Sequence, residues 1–230
     1  NLVNLVNSIL SQSELSKSDE IIIIDDKSKI KPYFKNSKKI KIFYNKTNLG
    51  PSASRNYGIK KAKGQILFFL DSDTILLKGS IKKIKAHYRK KKYEKILNGY
   101  CHYDPIYSNW FTKYKGINEY LWGTQQLKST GYKIFNTRVG AIEKKLITQR
   151  KILFDENIKA AGIEDYKFSH SLRDIKIKTK KNLMVKHKYP SLIDTTKKYF
   201  YRSSDWVNLF FKKEIKFNST GGTSLKNACD

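Results

Sequence analysis

The chain has 230 residues, of which 39% are hydrophobic and 13% aromatic, with only 12 Gly and 4 Pro. This composition supports a packed core and excludes disordered and collagen-like architectures. The length predicts a single α/β domain with a small appendage. The apolar runs, such as residues 21–24 and 66–70, are far shorter than the ~18 residues of a membrane-spanning helix.

The chain is strongly basic, with 47 Lys and Arg against 20 Asp and Glu and a net charge of +27. Such a charge attracts polyanions, including nucleic acid and anionic membranes. Only six of the 47 are Arg, and proteins that read nucleic acid favour Arg. Compositional drift toward Lys therefore explains the charge better, and we expect no nucleic-acid partner. Cys101 and Cys229 lie far apart and form no metal or redox motif, which is typical of a cytoplasmic protein.

The first half of the chain predicts alternating helices and strands. Apolar residues at helical spacing predict a helix over 2–10. Ile21–Ile24 and residues 66–70 are apolar on both faces and predict two buried strands, and residues 40–44 predict a third. Pro51 is placed for a helix start, and a Lys-rich helix is predicted over 79–91. This order predicts a doubly wound, mostly parallel sheet flanked by helices.

The second half is less regular. Residues 95–103 and 134–142 predict strands, and the aromatic-rich stretch 105–124 is interpreted as a connection. Glu164 opens a helix, two short strands are expected near residues 175 and 185, and a last amphipathic helix runs to residue 211. Residues 218–230 form a polar tail.

Paired acids follow two of the most apolar strands. Asp25-Asp26 comes directly after the first, and Asp71-Ser72-Asp73 directly after the second. Ligands of open α/β sheets bind beyond the carboxyl ends of the strands. Two alternate carboxylates suit Mg²⁺ or Mn²⁺, whereas helix capping and turn formation are the ordinary alternative for one such pair. Two pairs at neighbouring strand ends favour a site.

Four segments resemble the family 2 glycosyltransferases in order and spacing: IIIIDDKS (21–28), GPSASRNYGIKKAKG (50–64), ILFFLDSD (66–73) and GIEDYKF (162–168). The resemblance covers roughly residues 1–190. It implies the GT-A fold, which binds nucleotide-sugars, over residues 1–190, followed by a helix and mobile tail over 191–230. It also implies an opening strand before Asn1, so that the chain is expected to be a fragment lacking its first strand.

The resemblance also implies roles for single residues at the donor. Asp26 matches the acid that hydrogen-bonds the nucleotide base, and Arg55 matches an arginine beside the nucleotide. Asp71 matches the first acid of the DxD motif, near the donor sugar, and Glu164 belongs to the same donor-binding set. The donor is expected to be a nucleotide-diphospho-sugar, with UDP the commonest case in the family.

The resemblance also implies roles in metal binding and catalysis for three acids. Asp73, with Asp71, matches the ligands of Mn²⁺ or Mg²⁺, and Asp165 matches the catalytic base. Asp165 would take the proton of an acceptor hydroxyl as it attacks the anomeric carbon, in one displacement that inverts configuration. The ordinary alternative for Glu164-Asp165 is favourable acid in a first helical turn.

Weaker signals concern the acceptor. His187 occupies a position near the metal or acceptor in many relatives, although a lone His after a strand is more often a packing residue. The acceptor is expected to be a saccharide or a lipid-linked molecule of surface polysaccharide or glycolipid assembly. The basic, aromatic last helix could touch the inner face of a membrane, whereas packing against the body is the commoner explanation.

Two rival functions come from other classes. Residues 66–75 approximate the nucleophile motif of haloacid-dehalogenase-type phosphatases. In that family the further acids follow the motif, whereas Asp25-Asp26 precedes it. A basic nucleic-acid-binding module would explain the charge but gives the strand-end acids no purpose.

Overall fold

The computed structural model describes the chain except residues 35–37, 91–92, 132, 159–162 and 212–230, and except the side chains of 205, 206 and 208–210. Gly162 of the fourth motif, Cys229 and the polar tail therefore lie outside the described residues. The elements in chain order are α1 (Leu2–Leu10), β1 (Ile21–Asp25), β2 (Ile40–Tyr44), α2 (Gly50–Lys61), β3 (Ile66–Leu70), β4 (Thr74–Leu76), α3 (Ser80–Lys90), β5 (Ile96–Cys101), α4 (Trp110–Lys128), β6 (Val139–Glu143), α5 (Lys144–Arg150), α6 (Glu164–His170), β7 (Ile177–His187) and α7 (Leu192–Phe211).

The described strands form two sheets. β1 and β2 pair in parallel, and the other five strands lie in the order β3-β6-β5-β7-β4. Within the larger sheet only β5 and β7 run parallel, whereas β3–β6, β5–β6 and β4–β7 are antiparallel. The sheets are thus less parallel than predicted, because antiparallel β6 separates β3 from β5.

The interpretation of residues 66–70 as a doubly buried strand is wrong. β3 is an edge strand of its sheet, and Leu67 is its one buried residue. Its remaining apolar side chains are half-buried, and Ile66, Phe68 and Leu70 pack against the main core. A continuous apolar run therefore does not distinguish a central strand from an edge strand covered on its faces.

The main core joins the two sheets. Leu5, Val6 and Ile9, which lie on one face of α1, pack in the same cluster as Ile21 and Ile23 of β1. Buried residues from the five-stranded sheet complete that cluster: Leu76, Leu97, Cys101, Val139, Ala141, Leu183 and Val185. The shared burial fixes β1, and the acids that follow it, relative to the larger sheet.

Two interpretations of the second half are corrected. The predicted aromatic connection is mostly α4, a helix of 19 residues, and the two expected short strands are one strand of 11 residues, β7. β4 was missed because three residues give no periodicity. The helices at 50–61, 80–90 and 192–211 agree with the predicted ones to within a few residues.

α4 lies against β5 through two glycines one heptad apart. A Cβ on Gly116 would collide with the carbonyl oxygen of Tyr103, and one on Gly123 would collide with the Cβ of Tyr100. Glycine costs about 1 kcal/mol in a helix interior relative to alanine. Here glycine allows the helix backbone to approach the sheet closely. The aromatic composition of the segment did not predict this close packing.

Among the described residues, none of the helices combines the length and the apolar composition that crossing a bilayer requires.

Candidate active site

The two acids at the end of β1 have different partners, and only Asp26 binds the start of α2. Asp25 accepts a hydrogen bond from the amide of Ser28 at 3.2 Å. The Oδ1 of Asp26 accepts from the side-chain amide of Asn45 and the backbone N–H of Leu49, each at 2.8 Å, and its Oδ2 accepts from the N–H of Gly50 at 2.8 Å. Asp26 therefore receives three hydrogen bonds, two from backbone amides at the start of α2, whose free N–H groups attract a carboxylate.

Arg55, on the first half of α2, joins acids from distant parts of the chain. Its NH1 donates to Glu164 Oε1 at 2.9 Å and lies 3.6 Å from Asp165 Oδ1, and its NH2 lies 3.3 Å from Asp71 Oδ1. The guanidinium also lies over the ring of Phe154, 5.5 Å from its centroid. One half-buried cation thus brings together the acid after β3 and both acids that open α6.

Two further contacts fix the position of Arg55 relative to α6. Asn56, the next residue, exchanges 2.9 Å hydrogen bonds with the backbone of Phe154. Phe154 in turn stacks on Phe168 of α6, with ring centroids 4.0 Å apart and an interplanar angle of 7°. Because α2 and α6 are each fixed to the same phenylalanine, the distance between Arg55 and its acids depends on the core.

Asp165 is the acid whose protonation the site changes most. Burial raises its pKa to about 7, and the charges of Glu164 and Asp71 push in the same direction. The charge of Arg55 and the hydroxyl of Thr137 act against that rise. Thr137 lies 2.9 and 2.8 Å from the two carboxylate oxygens. A carboxyl with a pKa near neutrality is suited to proton transfer at neutral pH.

Asp71 is flanked by a second arginine that the sequence analysis did not select. The Nε of Arg138 lies 3.9 Å from Asp71 Oδ2, on the carboxylate oxygen that Arg55 does not contact. Arg138 also pairs with Glu119 of α4, and its NH1 lies 3.2 Å from the Sγ of Cys101. Burial alone would raise the pKa of Glu119, but the charge of Arg138 holds it below its ordinary value.

Asp73 pairs with His187, which the sequence analysis named as a weaker candidate for the site. The Nε2 of His187 lies 3.3 Å from Asp73 Oδ2. Strand register explains the contact, because His187 is opposite Thr74 in the β4–β7 pair and Lys188 N–H donates to the carbonyl of Asp73 at 2.9 Å. Burial alone would raise the pKa of Asp73, but the hydrogen bond and charge of His187, with the charge of Arg138, hold it below its ordinary value.

The described residues contain no cluster of three or more His, Cys, Asp and Glu side chains arranged to hold a metal ion. Asp71 and Asp73 do supply carboxylate oxygens at one strand end, and the Nε2 of His187 lies beside Asp73. Mg²⁺ and similar ions often bind through one or two carboxylates, with substrate phosphates and water completing the shell. The residues present therefore fit a divalent ion that is bound jointly with a diphosphate.

The structure thus brings together Arg55, Asp71, Glu164 and Asp165, and Arg138 links Asp71 to α4. Asp26 lies apart from this cluster. It accepts from the N–H of Gly50, the first residue of α2, which is five residues before Arg55, or about 7.5 Å along the helix axis. Sequence reasoning missed Thr137, Arg138 and Glu119. Thr137 and Arg138 fell inside the strand predicted over 134–142, whereas the observed β6 begins at Val139, so no signal in the sequence pointed to them. Glu119 lies inside a helix that was not predicted.

Comparison with known proteins identifies the family. Residues 1–151, about two thirds of the chain, match the model of the glycosyl transferase family 2. An uncharacterized glycosyltransferase of Haemophilus influenzae is 29% identical over 221 residues, which cover 90% of this chain and 81% of that protein. The poly(ribitol-phosphate) β-N-acetylglucosaminyltransferase TarS of Staphylococcus aureus is 30% identical over 91 residues, 37% of this chain and 16% of TarS.

Solved structures establish the fold. The crystal structure of S. aureus TarS 1–349 in complex with UDP-GlcNAc superposes with a TM-score of 0.64 at 20% identity and covers 83% of this chain, which spans 55% of that structure. GalNAc-T7 with UDP, GalNAc and Mn²⁺ superposes with a TM-score of 0.57 at 16% identity, over 83% of this chain and 41% of that one. The family match over residues 1–151 favours the glycosyltransferase interpretation over the phosphatase alternative. The chain has the GT-A fold and belongs to glycosyltransferase family 2.

Proposed function

We propose that the chain transfers a sugar from a nucleotide-diphospho-sugar to an acceptor hydroxyl with inversion of the anomeric carbon. The observation that carries the proposal is the contact of Arg55 with Asp71, Glu164 and Asp165. A structural ion pair needs one carboxylate for each guanidinium. Three carboxylates around one arginine, with a second arginine beside Asp71, form an acidic cluster that suits a polyhydroxylated and metal-bound substrate.

Asp165 is the proposed base. Its carboxylate, held by the Thr137 hydroxyl, accepts the proton of the acceptor hydroxyl while that oxygen attacks the anomeric carbon from the face opposite the diphosphate. A pKa of about 7 makes it a far stronger base than an ordinary aspartate and leaves it largely ionised just above neutral pH. The nucleoside diphosphate leaves with the electron pair of the broken bond, so one displacement suffices.

Asp73, Asp71 and His187 are the proposed holders of Mn²⁺ or Mg²⁺. When bound, the ion would neutralise the charge that develops on the departing diphosphate. Arg55 and Glu164 orient the donor sugar beside Asp71. GalNAc-T7, which shares the fold, was crystallised with UDP and Mn²⁺, and this supports the use of a divalent ion.

Asp26 is proposed to contact the nucleotide base. A carboxylate has about four lone-pair sites, and three of those on Asp26 are occupied by donors. One site remains for an imide N–H. A uridine nucleotide fits that requirement, and TarS, the relative with the same fold, was crystallised with UDP-GlcNAc.

The acceptor is proposed to be a saccharide or lipid-linked molecule of cell-surface polysaccharide assembly, reached from the cytoplasm. The name of TarS supports this class, because its acceptor is a poly(ribitol-phosphate).

A donor assay tests the proposal. The chain is incubated with UDP-sugars and Mn²⁺, and release of UDP is followed with and without EDTA. We expect metal-dependent UDP release with at least one donor, lost in Asp73→Asn but not in Asp174→Asn, an exposed acid paired with Arg150. Donor turnover that ignores EDTA and Asp73→Asn would contradict the metal assignment, and no binding of any nucleotide-sugar would contradict the function.

A further inference from the structure

We propose that α4 and α7 together form a surface that binds an anionic membrane, here called the α4–α7 face: Trp110, Tyr114, Ile117 and Leu121 of α4 with Ile193, Phe200 and Val207 of α7. The further conclusion that the acceptor is therefore lipid-linked rests on the proposed function. Membrane binding itself does not.

α4 has two faces of opposite character. Its buried face carries Phe111, Gly116 and Gly123, which lie against the body of the protein. On the opposite side the apolar residues of the α4–α7 face follow one another at intervals of four, three and four, and thus form one stripe along the helix. Their exposed fractions are 72% for Trp110, 59% for Tyr114, 48% for Ile117 and 51% for Leu121.

α7 repeats the pattern. Thr195 is buried against the body, whereas Ile193, Phe200 and Val207 are 67%, 75% and 51% exposed at heptad spacing. Residues seven apart lie on nearly the same side of a helix. The two stripes therefore both lie on sides of their helices turned away from the body.

α4 and α7 meet at one contact among the described residues. The Nζ of Lys115 on α4 donates to the phenolic oxygen of Tyr199 on α7 at 2.8 Å and lies 5.2 Å from the centre of that ring. This contact brings the two helices together, each with its stripe turned away from the body. Large apolar surfaces of this kind are uncommon on soluble monomers and usually mark an interaction site.

The charge around the two stripes indicates which kind of partner binds them. Exposed lysines flank them at 113, 128, 188 and 197. On α4 the one acid, Glu119, is on the buried side and paired with Arg138. Basic residues beside tryptophan, tyrosine and aliphatic side chains are typical of helices that lie in the interface of an anionic bilayer.

A second copy of the chain fits this surface less well. Each copy carries a net charge of +27, so that two copies brought together through lysine-flanked faces would repel one another. An anionic bilayer has the opposite charge and also accepts the apolar stripes. Nucleic acid would satisfy the lysines but would leave Ile117, Leu121 and Val207 without an apolar partner.

The position of the face relates it to the active site. Glu119, on the buried side of α4, pairs with Arg138, which lies beside Asp71. α7 begins five residues after His187, which contacts Asp73. A membrane bound to the face therefore lies one helix diameter, about 10 Å, from the residues of the site, a distance that a lipid headgroup carrying a saccharide can span.

Vesicle sedimentation tests the proposal without donor or metal, so that its failure is independent of catalysis. The whole chain is mixed with phosphatidylglycerol vesicles and with phosphatidylcholine vesicles. One variant carries Trp110→Ser, Ile117→Ser and Leu121→Ser, and another carries Ile193→Ser, Phe200→Ser and Val207→Ser. The matched control carries Ile30→Ser, Tyr33→Ser and Tyr93→Ser, which remove three side chains that are 79–96% exposed elsewhere.

We expect the wild type and the control to bind anionic vesicles and each stripe variant to bind at least tenfold more weakly. Binding should weaken as NaCl is raised, because lysine attraction to anionic lipid is screened. Equal binding by the stripe variants and the control would overturn the proposal. So would a wild-type dimer in sedimentation equilibrium that the stripe substitutions dissociate, or binding to single-stranded RNA but not to vesicles.

Discussion

Two acidic segments of this chain look alike in sequence and differ in the folded protein. Asp25-Asp26 and Asp71-Ser72-Asp73 both follow an apolar strand. The carboxylate of Asp26 accepts three hydrogen bonds from neutral donors, two of them backbone amides. Asp71 instead lies between two guanidinium groups, and it shares that of Arg55 with Glu164 and Asp165.

The difference lies in how each carboxylate is neutralised. Amide donors are fixed by the backbone and neutralise an acid locally, which stabilises the start of a helix. A shared arginine leaves several carboxylates competing for one positive charge. In that competition burial raises the pKa of Asp165 to about 7. The two segments should therefore respond differently to substitution.

The largest expected effect is on turnover. Asp165→Asn should lower kcat by about 10²- to 10⁴-fold, the usual contribution of a general base, while the dissociation constant of the nucleotide-sugar changes little. Kinetics with a donor found in the screen, together with titration calorimetry, measure the two quantities. Asp174→Asn is the matched control on the surface. Near-normal turnover in Asp165→Asn would remove Asp165 as the base.

Replacing the shared arginine should have the next largest effect. Arg55→Met leaves Asp71, Glu164 and Asp165 without their common cation, and breaking a buried pair in this way costs about 3–5 kcal/mol. We expect this loss in the free energy of urea unfolding at pH 8, with a smaller deficit at pH 5.5, where protonation of Asp165 relieves the repulsion. Arg150→Met, which breaks an exposed pair with Asp174, should cost less than about 1 kcal/mol. Equal losses in the two variants would show that the acids do not depend on Arg55.

The smallest effect belongs to the other acidic segment. Asp26→Ala removes the acceptor of the amides of Leu49 and Gly50, and loss of a helix N-terminal acceptor costs about 0.5–2 kcal/mol. Its proposed base contact should appear as a higher KM for the donor with a nearly unchanged kcat. A loss of kcat as large as that of Asp165→Asn, with no loss of stability, would break the distinction between the two segments.

The sequence predicted the family, the fold and the acids because these depend on local patterns. Apolar runs that end in acid, Pro51 at a helix start and the pair Glu164-Asp165 are all readable within a few residues. Arg138 and Glu119 were not predicted, because their roles depend on a contact between α4 and the end of β5 that no local pattern encodes. The edge position of β3 was missed for the same reason, since strand order is a property of the whole sheet.

α4 shows a different limit of prediction from sequence, namely that tertiary packing can override local helix propensity. Its aromatic and glycine content lowers helix propensity, and the segment was interpreted as a connection for that reason. Tertiary packing overrides the propensity, since Gly116 and Gly123 permit close approach to Tyr103 and Tyr100. The same packing turns Trp110 and Tyr114 outward, a consequence that only the three-dimensional arrangement could reveal.

Asp165 is proposed to be a base whose pKa is set by burial, Arg55 and Thr137, and a pH profile of the transfer reaction measures that pKa. The value of kcat/KM should rise with pH along a limb centred near pH 7, because only the ionised carboxylate accepts the proton. In Thr137→Val the limb should move to higher pH, since the variant lacks the hydroxyl that stabilises the ionised form. A flat profile between pH 5.5 and 8.5, or a limb that Thr137→Val leaves in place, would contradict the account.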